Sequence, residues 1–396
     1  MRNILRALKM IAAAVGLVAL AACGGGGGTV GSGTLSVALT DASCRTEFDQ
    51  VNVTVSKVRV HRSANVGAAA AGWNEIKIDP PRKINLLTLV NGVLEELGQT
   101  ALREGSYTQV RLVLDPNTGG NPLNNSVVPT SGPDADTEVP LDTPSGVQSG
   151  IKLIYPFTVE PDAVKDLVLD FDACRSVVSR GNGTFGLKPV IRPIPGVPNG
   201  IAGFVDLTLT GVVVSAQKDG VVIRQTVPDS VGRFLLSPID PAQSPYDVVV
   251  TATDHATAVV AGVPVSSDTT TQISTTVTPI ALPPAGTPAT RTVSGTVTPA
   301  EASPTVRALQ TVGGVTVEIA YVNADDMTGA HSLALPIDAP VLATYATPLP
   351  LTFAPVPASA GQYTIEAAAS GYATESDHVD LSSANATKNF VLSVAP

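Results

Sequence analysis

A chain of 396 residues that is 44% hydrophobic can fill several cores, and its formal net charge of −10 predicts an acidic surface. Residues 1–22 carry three basic and no acidic residues, so the chain from Cys23 onward has 21 Lys+Arg against 34 Asp+Glu, a charge of −13. Such a surface repels nucleic acid and anionic lipid, so composition excludes a nucleic-acid-binding protein.

The first 22 residues have the pattern of an export signal. Arg2, Arg6 and Lys9 form a basic region, and Met10–Ala21 is apolar but too short to span a membrane comfortably. The run ends in Leu20-Ala21-Ala22-Cys23, which resembles a bacterial lipobox. The resemblance implies that residues 1–22 are a lipoprotein signal peptide and that Cys23 is lipidated on sulfur and becomes the new N-terminus. The alternative is an ordinary secretory peptide in which Cys23 is incidental.

Residues 23–33 join this cysteine to the rest of the chain. Gly24–Gly28 and Thr29–Gly33 predict a flexible tether. Gly24, rather than Asp, directly after the cysteine resembles the sorting signal of outer-membrane lipoproteins. Two or more acyl chains anchor a protein stably, because each buried CH₂ contributes about 0.8 kcal/mol. We therefore expect a protein that is lipid-anchored in the cell envelope, in the outer membrane of a Gram-negative bacterium.

Two further cysteines, Cys44 and Cys174, lie in the exported part of the chain. In an oxidising compartment two cysteines of one domain usually pair, and closing so long a loop contributes about 4–5 kcal/mol in the chain-entropy model. The alternative, a pair of metal-binding or nucleophilic thiols, lacks a CxxC motif or a nearby His. We predict a disulfide between Cys44 and Cys174.

The remaining sequence predicts an all-β fold in which a β-rich module over 34–195 is followed by two β-sandwich repeats over 201–280 and 291–396. Only 4% of the residues are aromatic, whereas Val and Thr favour strands and the 35 Gly and 32 Pro mark turns. In Glu104–Asp115, Val110, Leu112 and Leu114 alternate with polar positions, as in a strand with one face in a core.

Other segments of the first module predict particular local features. The alternation slips at Ser56-Lys57, which indicates a β-bulge. Ile84–Leu97 is the one stretch that predicts a helical turn, and Asn117–Val147 predicts polar loops. Gly181–Gly186 matches G-x-G-x-x-G, but strand-like segments on both sides favour a hairpin turn over a dinucleotide site.

Several runs of the first module, in order along the chain, carry a family resemblance: Val51–Val58, Tyr107–Asp115, Gln148–Leu153, Asp170–Ala173 with Ser176–Val178, and Leu187–Ile191. They resemble the bacterial domain-of-unknown-function family 4382 over nearly the whole module. The resemblance implies an extracytoplasmic β-rich module that is commonly lipid-anchored. It implies no reaction and no catalytic residues.

The two C-terminal units repeat each other. Tyr246–Thr257 aligns with Tyr363–Thr374 without a gap, and Gly203-Phe204-Val205 opens the first unit as Gly295-Thr296-Val297 opens the second. These features, with Gly371-Tyr372 after the Tyr strand, resemble the carboxypeptidase regulatory-like, transthyretin-type sandwich. The last unit departs from that pattern by an Ala/Pro-rich insertion over about 325–357. The resemblance implies a carbohydrate-binding-like fold, but fold alone does not establish sugar binding.

Three carboxylates are candidate metal ligands. Asp41 ends the first strand, and Asp170 and Asp172 share one face of a later strand, so with loop carbonyls they can bind Ca²⁺. The alternative is a solvated strand face. No other cofactor and no catalytic motif is indicated.

Aromatic side chains are the feature that a glycan-binding surface needs, and the candidates are Trp73, Tyr107, Tyr155 and Tyr321. Of these, Trp73 and Tyr321 are the predicted ligand residues. The alternative is that both are core residues. We expect a non-catalytic envelope protein, with polysaccharide as the leading ligand. The alternatives are a structural spacer or a module that binds an envelope protein, and an enzyme acting on envelope polymers.

Overall fold

The computed structural model describes residues 31–41, 47–196 and 199–396, and these residues are mostly in β-strands, as predicted. The helices are short: α1 (Pro144–Gln148), α2 (Ala173–Ser176) and the 3₁₀ turns Leu86–Thr88, Pro241–Gln243, Ala300–Ala302 and Pro357–Ser359. The strands form one N-terminal module and two sandwiches.

The N-terminal module packs a four-stranded sheet, in the order β12-β9-β1-β4, against an eight-stranded sheet, in the order β10-β11-β7-β6-β2-β5-β8 with β3 beside β2. Inward side chains such as Leu35, Val53 and Leu112 fill the space between the sheets and are fully buried. The strands are β1 (Ser32–Asp41), β2 (Phe48–His61), β3 (Asn74–Asn85), β4 (Glu95–Arg103), β5 (Gly105–Leu114), β6 (Ser126–Pro129), β7 (Val139–Asp142), β8 (Ile151–Val159), β9 (Val164–Phe171), β10 (Val177–Ser179), β11 (Phe185–Leu187) and β12 (Ile191–Pro195).

The structure confirms two local predictions for this module, the bulge and the hairpin turn, and corrects two others. The pairing of β2 shifts register between Val55 and Lys57, which is the predicted bulge. The GxGxxG segment is the turn between antiparallel β10 and β11, and Gly183 has a φ of +81° that other residues rarely adopt. The helical prediction is confirmed only at the 3₁₀ turn. The prediction of loops over Asn117–Val147 is wrong in part, because β6 and β7 lie there and extend the sheet beside β2.

The two sandwiches have one strand order. In the middle sandwich β13 lies between β16 and β19, and the facing sheet runs β15-β14-β17-β18. In the last sandwich β20 lies between β23 and β28, with β29 also beside β20, and the facing sheet runs β22-β21-β26-β27. The strands are β13 (Gly200–Phe204), β14 (Val213–Lys218), β15 (Val221–Thr226), β16 (Arg233–Leu236), β17 (Tyr246–Thr251), β18 (Ala258–Val263), β19 (Thr270–Gln272), β20 (Thr290–Thr298), β21 (Thr305–Val312), β22 (Val315–Asn323), β23 (Ala330–Pro336), β24 (Val341–Thr344), β25 (Ala354–Pro355), β26 (Gln362–Ala368), β27 (Glu375–Asp380), β28 (Ala386–Thr387) and β29 (Phe390–Val391).

Equivalent residues of the two sandwiches make equivalent contacts. Tyr246 is the first residue of β17 and Tyr363 is the second residue of β26, and each hydroxyl donates a 2.5 Å hydrogen bond to a backbone carbonyl earlier in its own unit. His255 and Tyr372 align in the sequence, and each forms an isolated antiparallel bridge to the segment that closes its sandwich. The sequence repeat is therefore also a repeat of topology.

The insertion in the last unit joins the two sandwiches. β24 pairs in parallel with β18 and β25 pairs with β24, so both strands extend the sheet of the middle sandwich. The buried residue Val341 belongs to the core of the middle sandwich although it lies in the last unit. A shared sheet therefore holds the two sandwiches together.

Candidate ligand crevice between the three units

The three predicted acidic residues converge at one end of the four-stranded sheet. β1 and β9 are parallel neighbours in which Asp41 lies opposite Phe171, so Asp41, Asp170 and Asp172 are brought to the same end. Their exposed fractions are only 0%, 2% and 8%. The alternative of a solvated strand face is therefore wrong, because the middle sandwich packs over this surface.

Each of these carboxylates has a partner within the protein. Asp41 accepts a hydrogen bond from the backbone of Ala173 (2.9 Å), and Asp172 accepts one from the backbone of Arg175 (3.1 Å) at the start of α2. Asp172 also pairs with Nε of Arg175 at 3.2 Å, and Asp170 pairs with Arg224 of the middle sandwich. Burial raises the pKa of all three carboxyls, that of Asp172 to about 6.

The sequence predicted that Asp41, Asp170 and Asp172 can bind Ca²⁺, and their partners in the structure bear on that prediction. Over 31–41, 47–196 and 199–396, no group of three or more His, Cys, Asp or Glu side chains is placed to hold a metal ion. Arginine is the cation that faces Asp170 and Asp172. The arrangement therefore acts as a buried ionic contact between domains.

A second ionic contact joins the first and last units. Arg175 pairs with Glu318 of β22, which is only 4% exposed. Arg307 approaches the same carboxylate at 3.6 Å and pairs with Glu366 at 2.6 Å. Paired in this way, the charges can be buried without being left uncompensated.

Gln217 fixes the middle sandwich to the edge of β22. Its side-chain amide donates to the backbone carbonyl of Glu318 (2.8 Å) and accepts from the backbone N–H of the same residue (2.7 Å). The amide thus satisfies both main-chain groups of Glu318, as a neighbouring strand would. Together with the ion pairs, this contact holds the three units in one arrangement.

A crevice of about 660 Å³ lies where the three units meet. Its floor is the outer face of the middle sandwich, including Ser215 and Thr251, and its walls are β22 and β23 of the last sandwich and Cys174 of the first module. A smaller crevice of about 410 Å³ shares Cys174, Tyr321 and Ser332 with it and continues past His331. The crevices follow β23 from Ala330 to Ala334.

The pairing of β20 determines which backbone groups of β23 face the crevice. Thr292 and Thr296 direct their backbone N–H groups away from β23, to the side chains of Asn385 and Asn389 at 3.0 and 2.9 Å. Successive residues of a strand point their backbone groups to opposite sides. The intervening Val293 therefore directs its groups towards β23.

The backbone N–H and C=O groups of Ser332 and Ala334 consequently point away from β20. Val293 lies opposite Leu333, which makes Leu333 the hydrogen-bonded partner and leaves the two flanking residues on the outer side. β23 is an edge strand, and both flanking residues line the crevice. Their main-chain donors and acceptors are thus available to an added strand.

The predicted ligand residue Trp73 does not present an open ring. The guanidinium of Arg59 lies 4.6 Å from its ring centroid and that of Arg111 lies 5.3 Å away. The ring of His61 is 5.1 Å away, and Nε1 of Trp73 donates to the carbonyl of Gly67 at 3.2 Å. Trp73 therefore stabilises neighbouring cations on the outer face of the large sheet.

Tyr321 does lie in the crevice, but one face of its ring is also covered. Arg175 stacks on it at 4.0 Å from the centroid, and the ring packs against the core of the first module. Burial and the nearby Asp172 raise the pKa of the hydroxyl well above its usual value. The structure does not bring Trp73 and Tyr321 together.

The cysteines are partly outside the described residues. Cys23 and Cys44 fall in segments that the structure does not describe, whereas Cys174 in α2 is disulfide-bonded. The pairing with Cys44 remains a prediction.

Arg224, Gln217 and Glu318 were not predicted from the sequence. Each occupies the face of its strand that alternation assigns to solvent, opposite core residues such as Val214 and Ala216. The only signal in the sequence is that apolar and polar residues mix on this face, as where Val222, Arg224 and Thr226 lie on the same side of β15. Such a mixture is typical of a surface that another domain covers.

Residues 32–189 match the family model described as "Domain of unknown function (DUF4382)", so the chain contains this domain in its N-terminal part. No curated protein sequence matches the chain. No described helix is long and apolar enough to cross a membrane.

Two solved structures show distant likeness. The Bacillus anthracis TIE protein is 10% identical with a TM-score of 0.17, over 92% of this chain and 51% of that one, so the chain spans about half its length. BcpA, the major pilin subunit of Bacillus cereus, is 8% identical with a TM-score of 0.16, over 92% of this chain and 100% of that one. At these TM-scores neither likeness informs fold or function.

Proposed function

We propose that the protein is a lipid-anchored, non-catalytic binding protein of the cell envelope, and that its crevice takes up an extended polypeptide segment of a partner protein by strand addition to β23. The observation that carries this proposal is that, among the residues the structure describes, no strand pairs with the outer edge of Ser332 and Ala334, which lies along a preformed crevice. Strand addition uses such edges, with main-chain hydrogen bonds supplying affinity and pockets for alternate side chains supplying specificity.

The surroundings of this edge suit a peptide backbone. Ser215, Thr251 and Tyr321 line the same crevice and offer hydroxyl groups. The edge is short, because Ala330 accepts a hydrogen bond from Asp325 (2.9 Å) and Pro336 lacks an N–H donor. An added strand therefore pairs with only a few residues, which suits a specific segment better than uncontrolled aggregation.

The other ligand classes have less support. Stacking on sugar rings needs open aromatic faces, and arginines cover a face of both candidate rings. Acid–base catalysis needs a carboxylate that can exchange a proton with substrate. Glu318, which lines the crevice, is instead held by Arg175, and this leaves Glu47, whose pKa burial raises, as the remaining carboxyl in the crevice lining.

The family of the two C-terminal sandwiches is part of the same proposal. We assign them to the carboxypeptidase regulatory-like, transthyretin-type sandwiches, supported by their common strand order and by the aligned Tyr246 and Tyr363. In this assignment the sandwiches supply the crevice, and the N-terminal module links it to the membrane.

The crevice is tested with a library of short random peptides and a panel of envelope polysaccharides. Ala334→Pro removes one free N–H without touching the core, and Ala334→Ser keeps that N–H and is the matched control. We expect saturable peptide binding that Ala334→Pro abolishes and Ala334→Ser retains, with slower amide exchange at Ser332 and Ala334 in the complex. Polysaccharide binding that is indifferent to Ala334→Pro would establish the carbohydrate alternative instead.

The anchor is tested separately. Mass spectrometry of protein from the membrane fraction should find acyl groups on Cys23, and Cys23→Ser should release the protein from that fraction. An unmodified Cys23 at the end of a membrane-bound chain contradicts the anchor.

A further inference from the structure

The outer face of the large sheet in the N-terminal module gathers basic side chains. The register places Glu75, Arg59, Arg111 and Lys152 in one row across β3, β2, β5 and β8. The opposite face of these strands is in the core, so these side chains all project outward. Lys77 and Lys57 form the adjacent row. We define these two rows as the basic face.

Arg59 and Arg111 in the basic face lie directly opposite each other, which is unfavourable for like charges. Burial, together with the nearby charge of Arg59, lowers the pKa of Arg111. Backbone carbonyls accept from both arginines, Ala68 from Arg59 at 2.8 Å and Ser149 from Arg111 at 2.6 Å. A carbonyl carries no full negative charge, so these contacts orient the guanidinium groups without neutralising them.

The negative charge on this face is small. Glu75 pairs with Arg59 at 2.9 Å and approaches Lys57 at 3.8 Å, and Asp79 follows further along β3. Lys77 and Lys152 are exposed and form no ion pair with any residue that the structure describes. Arg111 is only 5% exposed, so Lys57, Lys77 and Lys152 carry the accessible positive charge of the face, in a chain with a formal net charge of −10.

The described chain begins beside this face. Gly31 accepts a hydrogen bond from the backbone of Glu104 (2.8 Å), and Arg62 donates to the carbonyl of Glu104 at 2.7 Å. Arg62 directly follows His61, whose ring contacts Trp73 at the margin of the basic face. Residues 23–30 can span at most about 28 Å when fully extended. An anchor at Cys23 therefore keeps this part of the module close to the bilayer.

From this placement we infer that the basic face docks on anionic phospholipid headgroups and orients the anchored protein on the membrane, an inference that rests on the proposed lipid anchor. Net charge alone predicts repulsion from anionic lipid, but segregation of the cations gives one attractive face. Ile154, which is 55% exposed beside Lys152, adds apolar area that can enter the headgroup region of a membrane. The neighbouring end of the module carries Glu104, Glu160 and Asp162, so the face rather than the end meets the lipid.

The test uses the mature chain with Cys23→Ser, so that no acyl group contributes, and vesicles of phosphatidylglycerol mixed with phosphatidylcholine. We expect co-sedimentation at low salt that is lost at high salt and with pure phosphatidylcholine. A lysine near an anionic surface contributes about fivefold in affinity, so Lys77→Ala with Lys152→Ala should weaken binding about 25-fold. Lys218→Ala with Arg233→Ala in the middle sandwich is the charge-matched control and should bind as the parent chain does.

Equal binding by the two double variants, or no binding to phosphatidylglycerol at low salt, overturns the inference. Competition by inorganic phosphate at millimolar concentration would show a small-anion site and also overturn it. Because no acyl chain is present, the assay is independent of the state of Cys23. An unlipidated Cys23 in cells would contradict the anchor without changing the vesicle result. A failure to bind vesicles would overturn the docking face without changing the result for Cys23.

Discussion

The buried pair between Asp170 and Arg224 gives the sharpest test of how the domains are held together. Both residues are 2% exposed, and Nη2 of Arg224 also donates to Thr40 at 2.7 Å across the same interface. Arg224→Met keeps most of the buried stem but leaves Asp170 as an uncompensated charge. Breaking a buried ion pair from one side costs about 3–5 kcal/mol, and we expect a loss of about 4 kcal/mol at pH 7.

The loss should depend on pH. Burial raises the pKa of Asp170, and removing Arg224 raises it further because the opposing positive charge is gone. A carboxyl with a raised folded-state pKa favours folding most at low pH, and this contribution disappears as pH rises through the folded-state value. The deficit of Arg224→Met should therefore be smaller at pH 5 than at pH 7.

Urea unfolding provides the assay, because Trp73, the only tryptophan, reports on the N-terminal module, whereas circular dichroism reports on all strands. In the parent chain the two signals should change together. In Arg224→Met they should separate, since the domains lose their contact. Asp170→Leu with Arg224→Met should recover most of the stability, because no buried charge remains. A double variant as unstable as the single one, or a single-variant loss below about 1 kcal/mol, refutes the reasoning.

Three further predictions follow from named contacts. Burial raises the pKa of Asp172 from 3.8 to about 6, so the stabilisation by this carboxyl is complete below pH 4 and lost as pH rises through 6. The parent chain should therefore gain unfolding free energy between pH 7 and pH 5, and in Asp172→Asn this gain should be smaller by about 1 kcal/mol. Parallel pH curves for the two chains would contradict this. Gln217→Leu leaves both main-chain groups of Glu318 unpaired, which should cost about 3 kcal/mol in urea unfolding, whereas exposed Gln272→Leu should cost little. Cys44→Ser should lower the stability of the first module by about 4 kcal/mol as reported by Trp73 fluorescence, and two titratable thiols in the native oxidised protein would contradict the disulfide.

Alternation in the sequence was sufficient to predict much of the fold. Val and Leu at every second position place β5 where the structure has it, because one face of the strand must leave water. The slip at Ser56-Lys57 predicted the bulge, and the repeat of Tyr246 and Tyr363 reflects a repeat of strand order. These features depend on residues that are close in the chain or in matching positions of a repeat.

The candidate site could not be predicted in the same way. Alternation separates the two faces of a strand, but it does not tell whether the outer face meets water or another domain. Asp170 and Arg224 are 54 residues apart, and Gln217 and Glu318 are 101 residues apart, so no local pattern links them. Ser332 and Ala334 differ from other strand residues only in lying on an edge, which depends on the pairing of β20.

The sequence by itself thus determined the strand content and the repeat, because each depends on residue type at short or regular spacing. The same kind of local pattern predicts the export signal and its acceptor cysteine. Only the tertiary structure decided which charges are buried between domains, which strand edge stays free beside a crevice, and that cations of an acidic chain collect on one face. The physical reason is that these properties arise when the outer faces of separate domains meet, and the spacing of residues along the chain carries no record of that contact.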